Sequence, residues 1–510
     1  MQSLQHRTWI LPEDLVSSDV DMLLFDIFTL QSDCVKKSSR IWHDTFDWRL
    51  FRKKQRLISE GSNWILEDFQ GRQLAALKNQ RESFRFTWQL PDSPLRQILE
   101  KSMDVRGLHQ IGVEDLEARS LRLCNTDKKT VSFLNIQQST NRQNGNQRTI
   151  VRIKEVRGYS KWFKRAVKIL ESSGALQLDT VGDLFPFVLE GTGRKPLDYC
   201  SGYAVPLASD MMSIDAIRRI YTFLLDGIRR NEGWVVADFD SEFLHDLRVS
   251  VRRTRSALTL LKGVLAADIT DRFKKDFRYI GQMTGPVRDL DVYLLNEKHY
   301  KESIPERLQQ GLSYFFEDLA GRRKEEHQKL VAFLHGRYYQ QILRDWSQLL
   351  DEERILPAGE KGEMSIGILA GKIIHKRFRR VLQDGRKIHR STPDSELHEL
   401  RIQCKKLRYC LEFFASLYGP KQMKLFIRQL KLLQNNLGDF NDLSVQQEML
   451  SDYLSKIKPG SRKSLEMAAS IGGLMTDLVA QHHMVRACFD KTFIHFNSPK
   501  NKTLYREIFG

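Results

Sequence analysis

The chain has 510 residues, and its 81 Lys and Arg against 64 Asp and Glu leave a formal net charge of +17. With 41% hydrophobic and 28% charged residues it is neither disordered nor collagen-like, and at about 100–200 residues per domain its length accommodates two to four domains. The cationic excess points to nucleic acid, an anionic surface or another polyanion.

No apolar run approaches the ~18 residues of a membrane span, and the start, Met1–Arg7, has no hydrophobic signal segment. The expectation is a cytoplasmic protein with no membrane partner. The cysteines, Cys34, Cys124, Cys200, Cys404, Cys410 and Cys488, show neither Cys-x-x-Cys nor Cys/His zinc spacing. A reducing compartment fits them better than a disulfide framework or a structural metal.

In chain order, residues 1–195 are expected to form an α+β domain. Ser62–Phe69, Thr130–Ile136 and Thr149–Val156 are short and partly alternating, and the polar stretch Thr140–Asn146 joins the last two as a hairpin turn. A helix is predicted over Ser160–Ser173. The two prolines and the lack of any period in Lys195–Pro206 predict a linker over 196–206.

Beyond it, Ser213–Arg230, Ser241–Leu265, Glu306–Leu330, Ile366–Gln383, Ser395–Leu417 and Lys421–Asn436 carry apolar residues at helical spacing. Residues 207–496 are therefore predicted to be all-α, with repeat units of about 207–350 and 360–496 and a tail over 497–510. The simplest arrangement is two pseudo-symmetric four-helix bundles.

The repeat is written in a basic cassette. His245-x-x-Arg248-x-x-x-Arg252-Arg253-x-Arg255 recurs as His398-x-x-Arg401-x-x-x-Lys405-Lys406-x-Arg408, 153 residues later (398 − 245). The same offset pairs Phe273 with Phe426, Lys275 with Arg428, Arg278 with Lys431, and the Gly285–Leu290 segment with Gly438–Leu443. At about 100° per residue, His245, Arg248, Arg252 and Arg255 share one face of a helix, as do their four counterparts.

Stacked like charges repel by about 0.2–0.5 kcal/mol per i, i+4 pair, so an anion is expected along each stripe. Guanidinium grips phosphate oxygens in a bidentate fork. A stripe spans about 15 Å, too long for one phosphate and suited to a linear anion. Lys275 and Arg278 in the first repeat, and Lys424, Arg428 and Lys431 in the second, extend the basic faces on following helices. Arg288 is a further candidate ligand.

Beside arginines, His245 and His398 are expected to stay neutral until an anion binds, which predicts tighter binding at lower pH. Asp394 and Glu412 flank the second stripe, Glu412 within reach of Arg408 at i+4. Asp289 and Asp442, in Gly-x-x-x-Asp-Leu segments, read as a helix stop followed by an N-cap. There is no phosphate loop, no His-Glu-x-x-His and no Gly-x-Ser-x-Gly, so no catalytic residue, metal or cofactor is assigned. Tyr409 is expected to point elsewhere on its helix, leaving the stripes without stacking platforms and favouring a polyanion without bases.

The paired cassettes, with Leu407–Glu412 and Arg288–Val292, resemble the CHAD family over roughly residues 207–496. The resemblance implies two four-helix bundles around a basic cavity that binds inorganic polyphosphate, often in proteins of polyphosphate granules. On that analogy His245, Arg248, Arg252, Arg255, His398, Arg401, Lys405 and Arg408 become polyphosphate ligands.

His43–Arg52, Asp127–Val131 and Val156–Tyr159 resemble the CYTH family, which implies an antiparallel β-tunnel for triphosphates, hydrolysed in many members with a divalent metal. The Glu-x-Glu-x-Lys strand on which that hydrolysis depends is absent from His6–Pro12. The N-terminal domain is therefore read as degenerate, positioning the helical domain or docking a protein partner. The function expected is polyphosphate binding. The rival classes are a metal-dependent triphosphatase and a nucleic-acid-binding protein.

Overall fold

The computed structural model describes residues 6–80 and 83–509, in two compact units that divide between Ser201 and Gly202. Met1–Gln5, the opening of the segment inspected for a leader, lies outside the described residues.

The first unit runs β1 (His6–Ile10), α1 (Asp19–Phe25), β2 (Thr29–Ser32), β3 (Lys36–Thr45), α2 (Arg49–Arg52), β4 (Gln55–Glu60), β5 (Asn63–Asp68), β6 (Gln73–Leu77), α3 (Pro94–Met103), β7 (Leu108–Cys124), β8 (Thr130–Asn141), β9 (Gln147–Glu155), α4 (Ser160–Ser172), β10 (Leu176–Gln177) and α5 (Phe185–Leu189). The described strands form one antiparallel sheet in the order β10-β1-β9-β8-β7-β3-β4-β5-β6, with β2 also paired to β7. The predicted hairpin is β8–β9, closed at Thr140 opposite Gln147. The strand over 62–69 and the helix from Ser160 are also present.

Alternation along the strands sends apolar side chains to separate cores. One packs Trp9, Leu121, Leu134 and Val151 under α1 and α4. Another gathers Trp42, Ile58, Ile111 and Ile150 around Phe185, Phe187 and Val188 of α5. Gly112 on β7 lets α5 approach, since a Cβ there would lie 2.6 Å from the carbonyl oxygen of Val188.

The second unit is helical: α6 (Ser213–Val236), α7 (Ser241–Leu260), α8 (Ala267–Met283), α9 (Gly285–Leu295), α10 (Glu297–Glu302), α11 (Glu306–His335), α12 (Arg337–Leu349), α13 (Ile366–Gly385), α14 (Asp394–Phe413), α15 (Pro420–Lys456), α16 (Arg462–Ala487), α17 (Phe489–Phe496) and α18 (Pro499–Phe509). The starts of α6, α7 and α8 recur in α13, α14 and α15 at the same offset of 153 (366 − 213, 394 − 241, 420 − 267). No described helix is long and apolar enough to cross a membrane.

Two expectations are corrected. The helix stop assigned to Gly438–Asp442 is absent, because α15 runs unbroken through it; an interior glycine costs a helix only about 1 kcal/mol, which tertiary packing overrides. The stretch 497–510 is not an open tail: α18 packs on α13, with Tyr505 stacked on Phe378 at 3.6 Å between ring centroids.

In the first repeat α6 packs on α7, α7 on α8, and α9 on α11; in the second, α13, α14, α15 and α16 pack in series. The repeats also join each other. α7 touches α14, and α11 lies along α16 over a core shared by Tyr293, Leu312 and Phe315 with Leu450, Ile471 and Leu474. At Gly311 the two backbones come so close that a Cβ would lie 2.6 Å from the carbonyl carbon of Glu466.

Gly311→Ala therefore sets a helix-propensity gain of about 1 kcal/mol against an overpacking cost of about 1–3 kcal/mol. Because the obstacle is backbone, the cost should win. Urea unfolding is expected to show a net loss of stability, and an unchanged or raised midpoint would mean that α11 and α16 separate freely.

Candidate anion-binding site

The cassette helices are oriented by their apolar faces. α7 starts at Asp240, whose carboxylate accepts the backbone N–H of Glu242 and Phe243 at 2.9 and 3.2 Å. It buries Phe243, Leu247, Val251 and Leu258. α14 buries Leu397, Leu400, Cys404, Leu407 and Leu411 in the same way. The basic stripes are left on the remaining faces, and those faces meet.

Two contacts tie them together. Arg252 Nε donates to Tyr409 Oη at 2.7 Å, and Arg253 Nη2 donates to Glu412 Oε2 at 3.0 Å. Glu412 also accepts from Arg408 Nε at 2.6 Å, so one carboxylate serves a cation from each repeat. The expectation that Tyr409 points away is thus wrong. At i+4 from Lys405 it shares that lysine's helical face, and its hydroxyl reaches the stripe of the other helix.

Between α7, α8 and α14 lies a cavity of about 640 Å³. α7 supplies Arg252 and Arg255, α8 supplies Lys274, Lys275 and Arg278, and α14 supplies Lys405 and Lys406. Asp271, 4.0 Å from Lys274, is the one carboxylate in the lining. Among the described residues, Arg252, Arg255, Lys275, Arg278, Lys405 and Lys406 form no ion pair with a carboxylate.

Burial first, and neighbouring cations next, lower the proton affinities of Arg255, Arg401 and Lys405. Burial and then Arg401 and Arg252 push the Lys405 ammonium down to about 8. Burial and then Arg278 lower Arg255. Arg401 is lowered by burial and by Arg252, with Asp442 opposing. Arg252 depresses groups on α14, so the two stripes feel each other's charge.

The cassette residues at the other end of the stripes are engaged in structure. Pro286, without an N–H, breaks the helix between α8 and α9 at Thr284. The last carbonyls of α8 lose their helical donors, and Arg248 Nη1 takes up Gly281 O and Thr284 Oγ1, both at 3.0 Å. Arg401, its counterpart, faces an unbroken α15 and binds Asp442 instead at 3.1 Å. Its Nε stays buried with no hydrogen-bond partner.

Asp289 lies within α9, where the charges of Arg248 and Arg288 act on it and burial raises its pKa. Neither Asp289 nor Asp442 is an N-cap. Arg288 sits 3.7 Å from Glu242 and 3.4 Å from Ser241 O. His398 is exposed, its Nδ1 2.6 Å from Asn441 Oδ1, and His245 is half-buried on α7.

Of the candidates read from the sequence, the cavity brings together Arg252, Arg255, Lys275, Arg278 and Lys405. His245, Arg248, Arg288, His398, Arg401 and Arg408 lie outside its lining, and Lys424, Arg428 and Lys431 are exposed on α15. The asymmetry has a steric cause. Where α7 has Ser256 and Thr259, both lining the cavity, α14 at the same offset has Tyr409 and Glu412, whose bulk and polar ties occupy the corresponding positions. Lys274, Lys406 and Tyr409 are lining residues that the sequence reading did not select; Lys406 stood inside the cassette and could have been found there.

The first unit offers its cations differently. Arg40 Nε donates to Glu60 at 2.6 Å and its Nη1 to Glu114 at 3.2 Å, Arg56 pairs with Glu67, and Phe185 packs among the neighbouring apolar side chains. Among the described residues, no group of three or more His, Cys, Asp or Glu could hold a metal.

The family model of the CHAD domain matches residues 219–451. Among solved structures, the CHAD domain from the plant Ricinus communis aligns at 24% identity with a TM-score of 0.48, covering 58% of this chain and 95% of that one. PptA from Streptomyces chartreusis aligns at 15% identity with a TM-score of 0.43, covering 56% and 99%. No curated protein matches the chain. Both basic cassettes, and the cavity between them, fall within residues 219–451, and this part of the chain is a CHAD domain.

Proposed function

We propose that the helical unit binds inorganic polyphosphate in the cavity between the cassettes. The observation that carries this reading is the lining itself: seven cations, drawn from both repeats, face one carboxylate. Such a cluster is held together against its own repulsion and relaxes when a polyanion neutralises it. The CHAD family is often linked to polyphosphate binding, which supports the same reading. A ligand without bases fits better than nucleic acid. The aromatic residue in the lining is Tyr409, whose ring is buried and whose hydroxyl is held by Arg252, so the cavity has no open stacking surface.

Residence in the cytoplasm, on polyphosphate granules, is part of this proposal. The N-terminal unit is assigned no hydrolytic step, because β1 has no acidic residue and the cations named above are matched by carboxylates.

Arg255→Glu combined with Lys405→Glu places two acids opposite the ligand without touching the Arg253–Glu412 tie. Titration with long-chain polyphosphate at physiological salt is expected to show a loss on the order of 100-fold and a shallower salt dependence, by analogy with phosphate contacts in nucleic acids. Unchanged affinity would remove the cavity as the site.

Lys405 gives the pH dependence. Free, it loses its proton from about 8 upward; a bound polyanion favours the charged form and raises its pKa. Affinity should therefore fall by up to about tenfold per pH unit above 8, with proton uptake on binding. Calorimetry in buffers of different ionisation enthalpy measures that uptake, which Lys405→Met should abolish. Uptake persisting in the variant would assign the titration elsewhere.

A further inference from the structure

The cavity between the cassettes is not closed at its far side. Thr259, Leu260 and Asp271, which line it, also line a second cavity of about 910 Å³ between the start of α8 and α13. That cavity in turn shares Lys372, Lys376 and Arg377 with a third, of about 650 Å³, on the flank of α13. Three openings are thus linked by shared walls within the helical unit.

The third opening has the chemistry of the first. Lys372, His375, Lys376, Arg379 and Arg380 fall at i, i+3, i+4, i+7 and i+8 on α13, one face of a helix. Nothing acidic interrupts Ile366–Gln383, and Asp384 engages Arg380 alone at 2.7 Å. Lys372, Lys376, Arg377 and Arg379 form no ion pair among the described residues. His375 Nδ1, on the same helical face, is buried without a hydrogen-bond partner. Phe509 of α18 forms an opposing wall, so the docked C-terminal helix helps to shape this opening.

The middle cavity is the weak link in charge, yet its two acids already have lysines beside them. Asp271 lies 4.0 Å from Lys274, and Glu360 lies 3.1 Å from Lys361.

We infer that the anion path continues from the cassette cavity past Thr259 and Asp271 onto the basic face of α13, so that a long polyphosphate engages both stations and a short one only the first. The inference rests on the polyphosphate reading above. It adds a selectivity for chain length that the cassettes alone would not give, since the second station raises affinity only when one chain spans the saddle.

The test compares tripolyphosphate with long-chain polyphosphate on the full chain. Lys372→Glu/Lys376→Glu/Arg379→Glu alters exposed residues outside the cassette cavity, and circular dichroism verifies its fold. The expected result is at least a tenfold loss for the long chain, as contacts to the polyanion are removed, with tripolyphosphate affinity unchanged. Wild-type affinity for the long chain in this variant would end the path at the first cavity. Equal losses for both ligands would reduce α13 to a diffuse field and overturn the track. If wild type binds neither ligand, the polyphosphate reading itself fails, and that outcome is distinct from the other two. Displacement by DNA of a length matched in charge forms the control arm; DNA binding that depends on the α13 residues, where polyphosphate binding does not, would give that face to nucleic acid.

Discussion

The helical unit is organised around a confrontation of like charges. Two helices with cationic stripes are pressed face to face by the apolar residues on their other sides, and repulsion between the stripes opposes that packing. Hydrophobic burial is non-directional and scales with area, so it fixes α7 and α14 irrespective of what their remaining faces carry. Arg253, Glu412 and Arg408 then form a clasp across the seam, while Tyr409 holds Arg252 by its hydroxyl. Arg255 and Lys405, which form no ion pair, have proton affinities lowered by burial first and by neighbouring cations next.

Duplication made this arrangement and divergence broke its symmetry. The helix starts repeat at a constant offset, but the pairs that decide the site do not match: Ser256 against Tyr409, Thr259 against Glu412, and the Pro286 break against an unbroken helix. Small residues in the first repeat leave space for a ligand and for the α8 lysines. Larger ones in the second fill the equivalent positions and supply the clasp. Arg248 and Arg401, identical in sequence position, consequently have different work, one closing opened carbonyls and the other pairing with Asp442. The cavity between the cassettes is accordingly lined by α7, α8 and α14.

The N-terminal unit shows the converse principle. Its sheet also carries arginines, but Arg40 and Arg56 face glutamates on the same sheet. A cation whose partner is built in has little left to offer a ligand, because replacing that partner costs a desolvated carboxylate. Packing of α5 beside them, allowed by Gly112, adds apolar bulk where an anion would need donors.

Sequence by itself determined the helical and α+β halves, the hairpin at 140–147, the repeat and the identity of the cassettes, because periodicity and offset are properties of one chain read along its length. It also placed five of the lining cations, since residues on one helical face travel together. What it could not decide was which face meets which. Tyr409 stands at i+4 from Lys405, on the stripe itself, but its tie to Arg252 lies on another helix; Lys424, Arg428 and Lys431 lie outside the cavity's lining because a repeat in sequence does not guarantee equal surroundings; and the stop at Gly438 was misplaced because glycine's local cost is small beside the burial that carries α15 through it. The cavity and the clasp at Glu412 both depend on distances between helices. Only the packed apolar faces set those distances, and no single stretch of sequence contains them.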